Sequence, residues 1–390
     1  MTVVSRTENS KLADENPGGP FRIMLVDDSA VIRGMLHRWI TADPDCEIVG
    51  SYHNGVQAVQ HVKTCRAEIV ILDIEMPEMD GLTALPQIIR QAPGIQVLMA
   101  STLTRRNADI SMRALSMGAV DYLPKPESAR SGTATADFQR ELLLKIKAIG
   151  AAMRKGKGAL TQTPRHPSPG ALAGPQRTSI KVIGASKEIL LRPRSKSRPD
   201  ILAIGSSTGG PQALFALLGG LKKSINVPVV ITQHMPPTFT AILAEHIQNS
   251  TGLPAREAAT GDLLRNGEVL VAPGNYHMTV VRKGADKVIQ LDQTPQINYC
   301  RPAVDPLFKS VSAAYGSGAL GVILTGMGHD GRDGARQMVE AGGTIVAQDE
   351  KSSVVWGMPG AVAEAGLCSA VIPLPEMASW IVRYTQGTGA

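Results

Sequence analysis

The chain has 390 residues, 43% hydrophobic and 19% charged, too many for one ordinary core and enough for two or three globular domains. No apolar run approaches the ~20 residues of a membrane span. The polar start up to Pro20 lacks a signal-peptide core, and Cys46, Cys65, Cys300 and Cys368 show no metal or disulfide spacing, so we expect a cytoplasmic protein with no membrane insertion and packing thiols only. The net charge of +6 invites a nucleic-acid reading, yet 14 Lys+Arg against 3 Asp+Glu fall between Ser128 and Ser197, leaving 26 against 31 elsewhere. The basicity belongs to a linker and not to a folded face that would bind nucleic acid.

Residues 1–20 read as a disordered tail and 21–140 as the first domain. Apolar runs at Ile23–Val26, Glu47–Gly50, Ile69–Leu72, Val97–Ala100 and Val120–Leu123 alternate with amphipathic stretches such as Ala30–Ile40 and Gly55–Lys63. That is the pattern of one doubly wound parallel sheet. Such a sheet collects ligands at the carboxyl ends of its strands, and there stand Asp27 and Asp28, Asp73, Ser101 and Lys125. A single strand-end Asp is commonly a helix cap. Three carboxylates in one crevice repel each other unless a divalent cation sits among them, and hard oxygen ligands suit Mg²⁺. A lysine and a hydroxyl opposite would bind phosphoryl oxygens.

With its Val-Asp-Asp-Ser, Leu-Asp-Ile-Glu-Met-Pro and Pro-Lys-Pro motifs, the segment resembles the receiver domain of two-component response regulators. The resemblance implies that Asp73 accepts a phosphoryl group from a histidine kinase. It also implies that Asp28, Asp73 and the backbone carbonyl of Glu75 hold Mg²⁺ with Asp27 in support, that Ser101 and Lys125 read the phosphoryl group, and that Tyr122 is an aromatic switch.

Residues 141–197 read as a basic flexible linker. The amphipathic stretch Phe138–Met153 is expected to be a helix leaving the first domain, and the Pro-, Gly- and Ser-rich chain after it has little to bury. A second α/β domain spans 198–390. Its strands are expected at Ile201–Ile204, Val227–Thr232, Glu268–Ala272, Met278–Arg282, Lys287–Leu291, Leu320–Leu324, Thr344–Ala347 and Ala370–Ile372. Most are continuous apolar runs suited to a buried parallel sheet, and the pair around Met278 and Val288 reads as an antiparallel hairpin.

Ile201–Ile204 runs into Gly205-Ser206-Ser207-Thr208-Gly209 and then Pro211 and a helix. A serine on a sharp strand-to-helix turn stands clear of its backbone, near N–H groups that can face an oxyanion, so Ser207 is the candidate nucleophile. The plain alternative is a glycine-rich turn that only allows close helix packing. A serine needs a base held by a third group. His234 and Asp330 follow other strands and reach the same sheet edge, with His329 and His277 as rival bases and Asp333 as a rival orienter.

Ile-Gly-Ser-Ser-Thr-Gly-Gly, Gln-His-Met-Pro, Ala-Pro-Gly-Asn-Tyr-His and Leu-Thr-Gly-Met-Gly-His-Asp-Gly together are similar to the catalytic domain of chemotaxis protein-glutamate methylesterases. The resemblance implies Ser207 as nucleophile, His234 as base, Asp330 as orienter, Met327 as an oxyanion N–H donor, and Thr208 and His277 lining the site, with no cofactor in this domain. It implies a fold of two α/β domains, a flavodoxin-like receiver and a Rossmann-like catalytic domain. The substrates would be methylated glutamates and glutamines on the cytoplasmic helices of chemoreceptors, with the unphosphorylated receiver lying over the site. A nucleotide-binding module without hydrolysis and a DNA-binding response regulator are the competing readings.

Overall fold

The computed structural model describes residues 19–125, 132–159, 179–180, 189–222 and 224–387. The expected tail, apart from its last two residues, and the middle of the expected linker lie outside these residues. The first domain is a parallel five-stranded sheet of order β2-β1-β3-β4-β5. It is built from β1 (Phe21–Val26), β2 (Cys46–Tyr52), β3 (Ile69–Asp73), β4 (Gln96–Ser101) and β5 (Asp121–Pro124). Between them run α1 (Ala30–Thr41), α2 (Gly55–Cys65), α3 (Gly81–Gln91) and α4 (Arg105–Ser116). Each of these helices starts where a Ser, Asn, Asp or Thr side chain accepts a first-turn N–H: Ser29, Asn54, Asp80 and Thr104.

The final helix, α5 (Gly132–Ala159), corrects the expected boundary. Phe138, Leu142 and Ile146 are buried in the same cluster as Leu36, Ile71 and Leu98. The helix therefore closes one face of the five-stranded sheet instead of leaving it, and the 140/141 division falls inside a continuous element. The apolar spacing at i, i+4 and i+8 is a core-facing stripe.

After a short antiparallel pair, β6 (Ser179–Ile180) with β7 (Ile189–Leu190), the second domain begins. Its strands are β8 (Ile201–Ser206), β9 (Val229–Gln233), β10 (Ala255–Glu257), β11 (Val269–Val271), the hairpin β12 (His277–Lys283) and β13 (Asp286–Asp292), then β14 (Ala319–Ile323), β15 (Thr344–Gln348) and β16 (Ala370–Ile372). Its helices are α6 (Gly210–Leu221), α7 (Phe239–Thr251), α8 (Val304–Tyr315), α9 (Arg332–Glu340), α10 (Gly357–Glu364) and α11 (Leu374–Gln386). Seven parallel strands run in the order β10-β11-β9-β8-β14-β15-β16. Both domains are thus doubly wound α/β units, as expected, and the expected antiparallel hairpin forms and stands outside the seven-stranded sheet. The chain winds outward from β8 through β9 and then returns to β14 on the other flank. The crevice at this reversal, outside the carboxyl ends of β8, β9 and β14, is where such sheets bind ligands.

The two domains pack directly. A continuous cluster of buried side chains includes Met112 and Leu115 of the first domain with Leu214, Leu218 and Leu243 of the second. Around it Arg105 meets Glu245 at 2.6 Å and Asp109 meets His246 at 2.9 Å. Gln212 Nε2 donates to the Ala119 carbonyl at 2.6 Å.

Candidate active site

At the end of β8 the chain turns through Ser207 and Thr208 into α6. Gly209 has φ +73°, a left-handed conformation open to glycine at little cost, and an added Cβ would also run into Val354 at 2.6 Å. Pro211 then occupies the first helical turn, where its missing N–H costs nothing. The turn is held from the side by Ser207 N–H donating to the Thr325 carbonyl at 3.0 Å and by Thr325 Oγ1 donating to the Thr208 carbonyl at 2.9 Å. Ser206 is fully buried and its hydroxyl donates to Gln233 Oε1 at 2.6 Å. Ser207 instead lines a cavity of about 530 Å³, and its hydroxyl makes no hydrogen bond to a described residue.

His234 follows β9 directly and also lines the cavity, its N–H donating to the Ser206 carbonyl at 3.1 Å. Its Nε2 lies 2.7 Å from Asp330 Oδ2, and its Nδ1 lies 3.4 Å from Cys300 Sγ. Asp330 is itself seated on the N-terminus of α8. Oδ2 accepts the Val304 N–H at 2.6 Å, and Oδ1 accepts those of Asp305 at 3.2 Å and Gly331 at 2.9 Å. The positive end of a helix therefore stabilises the buried carboxylate.

Burial pushes the Asp330 carboxyl up, but the His234 ring and these N–H donors outweigh it and hold it below the ordinary carboxylate value. Burial disfavours a charged His234 ring. Cys300 and Asp330 on its two nitrogens favour it, and together they hold it well above its ordinary value. Since Asp330 accepts, Nε2 carries the proton and Nδ1 is the basic nitrogen. Asp305, buried beside Asp330, is pushed up to about 6 by burial and by that neighbouring charge.

Met327 and Thr208 line the same cavity. Among the described residues the buried Thr208 hydroxyl has no hydrogen-bond partner and the Met327 N–H has no acceptor. His277 does not belong here. It is fully buried, accepts the Ala303 N–H at Nδ1 (3.2 Å) and donates from Nε2 to the Pro295 carbonyl (3.1 Å), an internal strut between hairpin and α8. Of the rivals, His329 is an exposed part of the cavity wall, and Asp333 is an exposed residue 3.3 Å from Arg332. Cys300 is the corrected thiol: it lines the cavity against His234, whereas Cys46 and Cys368 are buried packing residues. A lone Cys far from the other motifs carried no sequence signal for this placement.

The opposite wall of the cavity comes from the receiver, through Asp121, Tyr122, Arg140, Glu141 and Lys145. Tyr122 stacks flat on Phe239, ring centroids 4.5 Å apart, and Phe239 begins the helix that follows the His234 loop. The Arg140 guanidinium sits 3.9 Å over the Tyr299 ring.

At the carboxyl edge of the receiver sheet, one oxygen from each of Asp27, Asp28 and Asp73 lies within 4.8 Å of the others. Lys125 Nζ stands 2.7 Å from both Asp27 and Asp73, and Ser101 is buried nearby, 3.2 Å from Ser111. Burial raises the Asp73 carboxyl to about 6, against the opposing pull of Lys125. An all-oxygen donor set of this kind fits a hard divalent cation such as Mg²⁺. The Glu75 side chain turns away to Arg106 at 3.9 Å.

Among the described residues no helix is long and apolar enough to cross a membrane. The family model described as CheB methylesterase matches residues 202–381, and that of the response regulator receiver domain matches residues 23–136. A protein-glutamate methylesterase/protein-glutamine glutaminase of Rhodospirillum rubrum is 50% identical over 382 residues, covering 96% of this chain and 97% of the relative. Its counterpart from Paramagnetospirillum magneticum is 52% identical over 364 residues, covering 93% and 95%. The crystal structure of the Thermotoga maritima CheB methylesterase catalytic domain is 37% identical, with a TM-score of 0.47, and covers 48% of this chain and 99% of that one. With about half its residues shared along nearly the full length of such relatives, and both domains matched in order, the chain belongs to the protein-glutamate methylesterase/protein-glutamine glutaminase family.

Proposed function

We propose that the chain removes methyl esters from glutamate side chains on the cytoplasmic helices of chemoreceptors, and deamidates glutamines at such positions, through Ser207, His234 and Asp330. The observation that carries this reading is the 2.7 Å His234–Asp330 contact at the rim of the cavity that Ser207 also lines. Ser207 Oγ attacks the ester carbonyl as its proton passes to His234 Nδ1. The Met327 N–H faces the oxyanion, with Thr208 packed beside the nucleophile turn. His234 then protonates the departing methanol, or ammonia from a glutamine. Water attacks the acyl-enzyme with His234 again taking the proton, and a glutamate carboxylate is released. Asp330 holds the ring and stabilises its cationic form.

Asp73 is the phosphorylation site in this account, with a chemotaxis-type histidine kinase as donor, and Asp28 and Asp73, with Asp27 behind them, hold Mg²⁺. The ion neutralises phosphoryl oxygens when bound, while Lys125 and Ser101 contact the phosphoryl group. The receiver wall over the cavity supports a gate in which phosphorylation loosens the packing around Tyr122 and Phe239 and admits the receptor helix. The protein works in the cytoplasm, where these helices lie. Treatment with a fluorophosphonate and peptide mapping tests the nucleophile. The label is expected on Ser207, slowed in His234→Gln, and a label on any other residue refutes the assignment.

A further inference from the structure

Gln233, the last residue of β9, is 2% exposed and sits between the nucleophile turn and the base. Its Nε2 donates to the Ser207 carbonyl at 2.9 Å and to the His234 carbonyl at 3.2 Å. Both partners only accept, so the amide has one possible orientation, and its Oε1 must take the Ser206 hydroxyl at 2.6 Å. Gly210 leaves the space for this amide, since an added Cβ there would lie 2.0 Å from Gln233 Oε1. One buried side chain thus uses both of its donors to tie the nucleophile's own backbone to the base's own backbone, and uses its acceptor to occupy the neighbouring serine.

We infer that Gln233 is a positioning residue that sets the approach of Ser207 to His234 and withdraws the Ser206 hydroxyl from competition as a nucleophile. This rests on the Ser207–His234–Asp330 reading above. The β8–β9 ladder alone does not fix that approach: its last parallel pair is Ser206 with Gln233, its last bond runs from the His234 N–H to the Ser206 carbonyl, and Ser207 lies beyond it, turned toward Thr325. Proton transfer needs heavy atoms held near 3 Å, and a misplacement of about 1 Å costs roughly 10²-fold in rate.

The test uses the full-length protein and methanol release from methylated receptor membranes, with folded fraction checked by circular dichroism. Gln233→Met keeps the volume and removes every hydrogen bond. Its kcat is expected to fall about 10²-fold at nearly unchanged KM. Gln233→Glu provides the readout that a merely structural residue would not move. Its carboxylate would repel two carbonyl oxygens, whereas its protonated carboxyl can accept from Ser206 and donate to one of them. Its kcat relative to wild type is therefore expected to climb as pH falls through the titration of that buried carboxyl. A Gln233→Met kcat within threefold of wild type, or a Gln233→Glu ratio flat with pH, overturns the inference. Ser207→Ala run alongside separates the two failures. If it is silent while Gln233→Met is fully active, only the positioning role falls; if it keeps wild-type activity, the triad reading itself falls.

Discussion

Replacing Asp330 with Asn changes one atom and leaves the shape intact, yet every partner of the carboxylate is a donor. Oδ2 faces the His234 ring and the Val304 N–H, and Oδ1 faces the Asp305 and Gly331 N–H groups. Whichever way an Asn amide is turned, its NH₂ is set against two donors in a buried site. Leaving such groups unsatisfied costs about 1–3 kcal/mol each, so a loss of roughly 2–4 kcal/mol of stability is expected after relaxation. The catalytic loss is larger. Asn no longer fixes the ring with its proton on Nε2 or stabilises the imidazolium, a change worth about 10³–10⁴-fold in kcat in other triads. Urea denaturation and methanol release at a temperature where the variant is folded measure the two effects. An Asp330→Asn protein with a kcat within tenfold of wild type would refute the argument that this carboxylate orients the base.

Three further outcomes follow from the same geometry. Because Cys300 and Asp330 hold His234 well above its ordinary value, and the base must be neutral to accept the Ser207 proton, activity rises with pH and the acid limb of the kcat profile lies above about 6.5; an acid limb below that value contradicts the assignment. Arg105→Ala with Asp109→Ala removes the exposed Arg105–Glu245 ion pair and the partly buried Asp109–His246 hydrogen bond from the domain interface, each worth on the order of 0.2–1 kcal/mol. The basal rate of the unphosphorylated protein is expected to rise roughly 2- to 30-fold, with a smaller gain from a phosphodonor, and an unchanged basal rate would show that these contacts do not restrain the gate. Asp73→Asn leaves basal methanol release in place and abolishes its stimulation by a small-molecule phosphodonor; equal stimulation in the variant would place the phosphorylation elsewhere.

Much of this arrangement was legible from residue pattern alone. Apolar runs bounded by Gly, Pro and capping residues located the main strands, because buried parallel strands are uniformly apolar and their ends collect the polar groups. The Ser207, His234 and Asp330 turns were visible for the same reason, each following such a run. The edge strand Ala255–Glu257 was not, since Arg256 and Glu257 break the apolar pattern in a three-residue element. The role of α5 was obscured by its basic surface: the stripe of Phe138, Leu142 and Ile146 is ordinary, but which sheet it covers is a long-range fact. His277 looked like a site residue because it closes a motif near the reacting groups, whereas its ring points inward to Pro295 and Ala303. Cys300 reaches the cavity only because the loop before α8 folds back over His234, which no local spacing records.

The most direct measurement is methanol release from methylated receptor membranes by the full-length protein and by Ser207→Ala, each with and without a small-molecule phosphodonor. The wild type is expected to release methanol at a rate that rises with the donor, and Ser207→Ala is expected to release none under either condition. Release by Ser207→Ala at the wild-type rate would exclude Ser207 as the nucleophile.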